Sequence, residues 1–292
     1  MIASIVKASR PISWINTAFP FAAGYLMVVR EIDALWVVGT LFFLIPYNLL
    51  MYGVNDVFDY ESDLANPRKG GIEGDVVRDV ARARRIHRGI LVASVVTVAP
   101  PFGWLLWQGS LAAGVTLALV VAGVLLYSVP YARFKERAFL DSVTSAFHFV
   151  GPLIYALVLS GADLTSRAVW PILVSFVAWG MASHAFGAVQ DVRADRAGGI
   201  GSVATVIGAR RTVGVSLALY VVSAAVLVVL PWPGALAVVL PLAYAASVAR
   251  FIRVTDDTCE EANRGWRTFL WLNQPVGFLV TMLLIVSWHG WL

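Results

Sequence analysis

Cysteine occurs once in the 292 residues, at Cys259, and histidine only four times. A lone thiol forms no intrachain disulfide and argues against a Cys-based metal site, and no two histidines are paired at ligand spacing. Charge is scarce too. Asp, Glu, Lys and Arg make up 14% of the chain, against about 25% in soluble domains. That shortage, with 59% hydrophobic residues and a mean hydropathy of +0.76, excludes an ordinary water-soluble domain. The net charge of +4 does not by itself call for nucleic acid. In a membrane protein, basic excess belongs to the loops that hold the topology.

What is present is a series of apolar stretches of about 17–25 residues, the length needed to cross a bilayer. They predict nine helices, at 12–29, 35–55, 88–107, 110–128, 139–160, 168–188, 213–230, 234–252 and 267–290, forming one membrane domain. Arg68 to Arg88, Arg133 to Arg137, Arg193 to Arg211 and Arg250 to Arg267, with Lys7 and Arg10, hold 20 of the 22 Lys and Arg; only Arg30 and Arg167 lie on the other side. The positive-inside rule then places the N-terminus and four long loops in the cytoplasm and the C-terminus outside. Trp288, His289 and Trp291 read as outer interfacial anchors. The start of the chain also resembles a cleavable leader at Ala22-Ala23-Gly24, but Arg10-Pro11 and Trp14 fit a different pattern.

Ionisable groups in or beside a bilayer are costly, so they are functional candidates. Two acidic groups stand out. Asn55, Asp56, Asp59 and Asp63 lie in the first, where Asn55, Asp59 and Asp63 are spaced i, i+4, i+8 on one helix face. Asp191 and Asp195 form the second, one turn apart. Each closes an even-numbered predicted helix at its cytoplasmic end, which hints at an internal duplication. Stacked carboxylates without basic partners at i+3 or i+4 repel one another unless a divalent cation lies among them. Oxygen-only ligands favour Mg²⁺ over Zn²⁺, and Mg²⁺ keeps phosphate oxygens as ligands, so the natural substrate is a diphosphate. Lys69, Lys135, Arg68 and Arg196 are placed to bind its remaining oxygens. The run Arg78 to Arg88 reads as ordinary loop charge. The competing account of each acidic motif is a solvated helix end; two such motifs in so charge-poor a chain argue against it.

Together these residues resemble the UbiA superfamily of intramembrane prenyltransferases. Asn55, Asp56, Asp59 and Asp63 match its N-D-x-x-D-x-x-x-D motif, and Asp191 and Asp195 its D-x-x-x-D. Tyr131 and Lys135 match Y-x-x-x-K; Arg10, Pro11 and Trp14 match the early Arg-Pro and Trp. The resemblance covers essentially the whole chain. It implies an all-α bundle of about nine transmembrane helices around a central chamber, with a polar cytoplasmic cap. The implied chemistry is Mg²⁺-dependent prenyl transfer with two ions. Within the family, residues 53–74 and 198–208 resemble the lycopene elongases of C50 carotenoid synthesis. Gly201 stands where many aromatic prenyltransferases carry a basic residue, which suits an uncharged polyene and, on this reading, leaves it room.

The expected reaction transfers a dimethylallyl group from an allylic diphosphate to lycopene. Asp59, Asp191, Lys135 and Tyr131 are the expected catalytic residues. Asn55, Asp56, Asp59, Asp63, Asp191 and Asp195 are the expected metal ligands. Asn55, Arg10, Arg68, Lys69, Tyr127, Arg196, His184 and Gly201 are expected to bind substrate. Trp14, Phe58, Tyr127, Phe147 and Trp179 are candidates to face the allylic cation. His184, two turns before Asp191, is placed to touch the acceptor or relay a proton; a satisfied intrahelical histidine is the plainer account. The expected partners are the diphosphate, a lipophilic acceptor, membrane lipid and other proteins of a carotenoid pathway, with no nucleic acid. The alternatives are a quinone precursor or other lipid acceptor, a transporter of an anionic metabolite, and a silent scaffold. A transporter would carry its charge at mid-bilayer, whereas these acids lie at helix ends.

Overall fold

The structure is a computed structural model, and it describes residues 1–65 and 77–290. Arg68, Lys69 and Trp291 fall outside the described residues, as does the side chain of Asp63. Among the described residues the chain is all-helical, and eight helices are long and apolar enough to cross a membrane. The eighth expected span is the shorter apolar helix Gly234–Ala249. The third differs at its start. It runs Val80–Gln108, because the Asp79 carboxylate accepts from the Arg82 N–H and caps the first turn. Arg82, Arg84, Arg85 and Arg88 therefore lie on a helix, although in the sequence their run of positive charge reads as loop.

The second span is broken by its own polar groups. Ala34–Leu44 starts at Asp33, which caps the Trp36 N–H, and stops where Pro46 has no N–H to continue the ladder. Asn48, fully buried, donates to the Phe43 and Leu44 carbonyls, and Thr17 Oγ1 donates to Phe43 as well. With those carbonyls satisfied, the chain makes a π turn at Leu49–Gly53 before entering Val54–Phe58, which carries the first acidic motif. Such a turn inserts an extra residue and re-aims the helix beyond it.

The contacts sort into two compact units. The first, residues 1–134 with 148–162, is built around stacked and edge-on rings of Phe21, Tyr25, Phe42, Phe43, Tyr47 and Tyr155. The second comprises residues 135–147 and 163–292. There Trp170–Val189 lies along Ala209–Leu227 through small and hydroxylic residues. Ser175 and Ser223 share a hydrogen bond, Ser183 meets Tyr220, and Ser216 donates to the Ala182 carbonyl. Lipid offers no hydrophobic drive between helices, so small side chains and interhelical hydrogen bonds supply the attraction. Gly180 serves the same end: a Cβ there would lie 2.8 Å from Ala146 Cβ. This close crossing brings the start of Leu140–Leu159 against Trp170–Val189.

Candidate active site

In the first unit, Asn55 and Asp59 lie one turn apart, with Asp59 N–H bonded to the Asn55 carbonyl. Asp59 is buried and ends the helix in the sparsely populated bridge region, at φ −98°, ψ 1°. Two other segments close on this turn. Ser128 Oγ donates to Asn55 Oδ1 at 2.9 Å, and Arg133 Nη2 stands 3.6 Å from Asp59 Oδ1. The sequence assigns neither Ser128 nor Arg133 a role, although Ser128 precedes the expected Tyr131–Lys135 pattern and Arg133 lies within it. Asp56 turns elsewhere. Both of its oxygens accept from Arg10, at 2.7 and 3.1 Å, and the guanidinium also lies over the Tyr52 ring. Arg10 and Asp56, expected as substrate and metal contacts, are thus partners of one another. The Trp14 indole donates to Ser9 and holds the entry to Arg10-Pro11.

The second unit repeats this backbone. Trp170–Val189 breaks at Asp191, with φ −101°, ψ −3°, and Val192–Ala197 carries Asp195, whose N–H bonds to the Asp191 carbonyl. An aspartate in the same conformation at the same point of each unit agrees with the duplication at which the spacing hints. The preceding residue is pinned. Gln190 donates to Gly187, accepts from Asn263 at 2.6 Å, and its carbonyl faces Cys259 Sγ.

Three expected substrate contacts take other partners. Arg196 gives Nε and Nη2 to the Thr205 carbonyl and Nη1 to Asp256 at 2.6 Å. The other Asp256 oxygen accepts from the Ala209 N–H, so Arg196 knots three loop segments together. Gly201 does not leave room for a polyene: a Cβ there would come within 2.6 Å of the Glu136 carbonyl oxygen. The space is already filled by the backbone of the segment that bears Lys135, in the turn Phe134–Glu136. Tyr131 is 97% exposed, on the turn leading to Arg133. Tyr127 packs edge-on to His148. Of the aromatics, Trp179 packs on Tyr244 and Phe269 in the second core, Phe58 packs on the first, and Phe147 is exposed.

Asp141 has no counterpart among the expected site residues. It is fully buried, accepts from the Ser142 and Val203 N–H groups at 2.7 and 2.9 Å, and faces His184 Nε2 at 3.5 Å. An aspartate near the start of an apolar run is its only signal in the sequence.

The donor set suits a hard cation. Asn55 and Asp59 can offer oxygen ligands alone. Among the described residues, no three His, Cys, Asp or Glu side chains gather to hold an ion by themselves. Mg²⁺ binds through one or two carboxylates plus phosphate and water, which these oxygen donors fit.

The UbiA prenyltransferase family model matches residues 17–287. The chain belongs to the UbiA prenyltransferase family. Its relatives narrow the class. A lycopene elongase/hydratase of Corynebacterium glutamicum is 48% identical over 281 residues, covering 96% of both chains. A C(50) β-cyclic carotenoids biosynthesis protein of Dietzia is 49% identical over all 292 residues, which span 66% of that protein. A UbiA homolog from Archaeoglobus fulgidus, bound to DMAPP and Mg²⁺, superimposes with a TM-score of 0.64 at 16% identity, covering 94% of this chain and 98% of that one. An apo homolog from Aeropyrum pernix gives 0.67 at 17%, covering 93% and 99%. At those identities the likeness is one of fold; the family and the eight helices long and apolar enough to cross a bilayer make the chain a multi-pass membrane protein.

Proposed function

We propose that the protein transfers a dimethylallyl group from its diphosphate to each end of lycopene, a step of C50 carotenoid synthesis. The observation that carries this reading is the similarity to the Corynebacterium lycopene elongase/hydratase along almost the whole of both chains. Asn55, Asp59 and Asp63 would hold one Mg²⁺, and Asp191 and Asp195 a second. When bound, Mg²⁺ neutralises the diphosphate and stabilises the charge that grows on it as the C–O bond breaks.

The side chains do the rest. Arg10 holds Asp56, and through it the turn that presents Asn55 and Asp59. Arg133 stands beside Asp59 as a fixed positive charge, and Lys135 is the cation assigned to the leaving diphosphate. Lys69 and Arg68 share that assignment on the strength of the sequence alone. Arg196 and Gly201 act indirectly, by holding the loops that carry Asp195 and Lys135. The apolar surroundings keep water from the allylic cation until the acceptor's terminal double bond attacks. The basic loops and both motifs face the cytoplasm, from which the diphosphate arrives.

The test is expression in lycopene-producing cells, with the purified protein assayed on lycopene and on 4-hydroxybenzoate. C45 and C50 carotenoids are the expected products. Benzoate prenylation without any elongated carotenoid would overturn the acceptor and leave the family.

A further inference from the structure

The close crossing at Gly180 and Ala146 sets up a second polar constellation, wholly within the second unit. Four residues beyond Gly180 lies His184, and five before Ala146 lies Asp141; the two side chains meet, His184 Nε2 to Asp141 Oδ2, at 3.5 Å. Asp141 is held from three directions. Ser142 N–H and Oγ donate to Oδ1, and Val203 N–H donates to Oδ2. Val203 opens a short helix whose Ser202–Thr205 capping box fixes it in turn. A carboxylate with no exposed surface, fastened by backbone donors, is poorly suited to merely solvating a helix start. It also faces an imidazole whose side chain keeps 20% of its surface accessible.

Position relates this pair to the reaction. Seven residues separate His184 from Asp191, which lies just past the end of Trp170–Val189, so the two are about 10 Å apart along the helix axis. A diphosphate held at Asp191 places its allylic carbon a few bond lengths deeper. If the pair serves the reaction, the acceptor carbon that becomes cationic after attack would lie deeper again, towards His184.

Resting on the function proposed above, we infer that His184, oriented by Asp141, is the base that ends each transfer. The C1–O bond of the donor breaks and its electron pair leaves with diphosphate. The acceptor's terminal π pair forms the new C–C bond to C1 and leaves a tertiary cation on the acceptor. A proton then passes to His184 Nδ1. It comes from the carbon next to the cation, whose C–H pair forms a new double bond, or from a water that adds to the cation. Nε2–H stays directed at Asp141, and the carboxylate stabilises the imidazolium. A 3.5 Å separation is long for a hydrogen bond, and catalytic bonds of this kind commonly tighten when substrate binds.

The experiment uses the full-length protein in detergent with dimethylallyl diphosphate, Mg²⁺ and lycopene. It follows donor binding, diphosphate release and carotenoid products. His184→Gln keeps a donor for Asp141 but removes the base. Its Mg²⁺-dependent donor affinity should stay within about two-fold, while elongated product falls by about 100-fold or more. Diphosphate release should then exceed carotenoid formation, because the unquenched acceptor cation breaks its new C–C bond and the dimethylallyl cation it expels is captured by water as dimethylallyl alcohol. Asp141→Asn can still accept from Val203 N–H and should lose rate without losing donor affinity. Wild-type product yield and an unchanged alkene-to-alcohol ratio in His184→Gln, or an unchanged rate in Asp141→Asn, would overturn the assignment. A parallel loss of donor binding in His184→Gln would overturn it too, moving the residue to the diphosphate site. The wild type's own products decide the lycopene reading separately, since both variants are scored against it.

Discussion

Three arginines in the first unit hold left-handed backbone: Arg30 at φ 63° caps the end of a helix, while Arg10 at φ 51° and Arg133 at φ 39° are each ion-paired to an acid of the same motif. Side chains other than Gly and Asn seldom accept that conformation, and it persists where surrounding contacts over-determine it. The two ion pairs are such contacts, which ties local strain to the turn bearing Asn55 and Asp59. Lysine has one point charge where the Arg10 guanidinium grips both Asp56 oxygens. Arg10→Lys should therefore cost about 2–3 kcal/mol of stability, read as a lower midpoint of unfolding in detergent. The carboxylates themselves carry the sharper expectation. Asp59→Asn and Asp191→Asn should each cut turnover by about 100-fold or more and lose Mg²⁺-dependent diphosphate binding while the protein still folds; Asp59→Asn, which also takes the carboxylate from beside Arg133, should lower the unfolding midpoint. Near wild-type turnover in either variant would remove that residue from the ligand set.

Helix ends and the loops between them decide what each side chain is for, and there the sequence is legible only in part. The apolar runs mark the spans to within a few residues at 110–128 and 139–160, seen as Leu111–Ser128 and Leu140–Leu159. They fail at Val80, where a capping aspartate outweighs the run of charge, and at Pro46, where one apolar stretch conceals a break and a π turn. The acids of both motifs are visible because charge is rare here. Their partners are not, because Arg10–Asp56, Ser128–Asn55 and Asp141–Val203 join residues 46 to 73 positions apart. Gly201 shows the difficulty most plainly. Its position suggests an empty place beside the acceptor, whereas the glycine admits the Glu136 carbonyl. Gly201→Arg should accordingly displace the Lys135 segment, cost about 1–3 kcal/mol, and weaken donor binding together with lycopene extension. Thermal unfolding and donor titration check this; loss of extension alone, with donor binding intact, would restore the reading of Gly201 as acceptor space.

Orientation in the bilayer is a property of the whole chain, and it determines which compartment supplies the diphosphate. Twenty of the 22 Lys and Arg fall in the N-terminal segment, the connections between spans and the helix ends beside them, so the positive-inside rule would assign those to the cytoplasm. Local contacts in the second unit join several of these segments to one another. Arg196 and Asp256 join the segment after Asp195 to those around Thr205, Ala209 and Asp256, and Arg193 meets Glu260. At the other ends of those helices, Arg167 donates to the Val229 carbonyl. The two sets should therefore differ in access from outside the cell. Cys259 is buried, so a cysteine placed elsewhere is the one that reacts with a membrane-impermeant maleimide. Thr165→Cys, at an exposed position beside Arg167, should label in intact cells. Asp257→Cys, also exposed but on the Arg196 side, should label only after permeabilisation. The reverse pattern would put both acidic motifs outside, where a cytoplasmic diphosphate has no path to them, and the proposed reaction would need a donor from the opposite face.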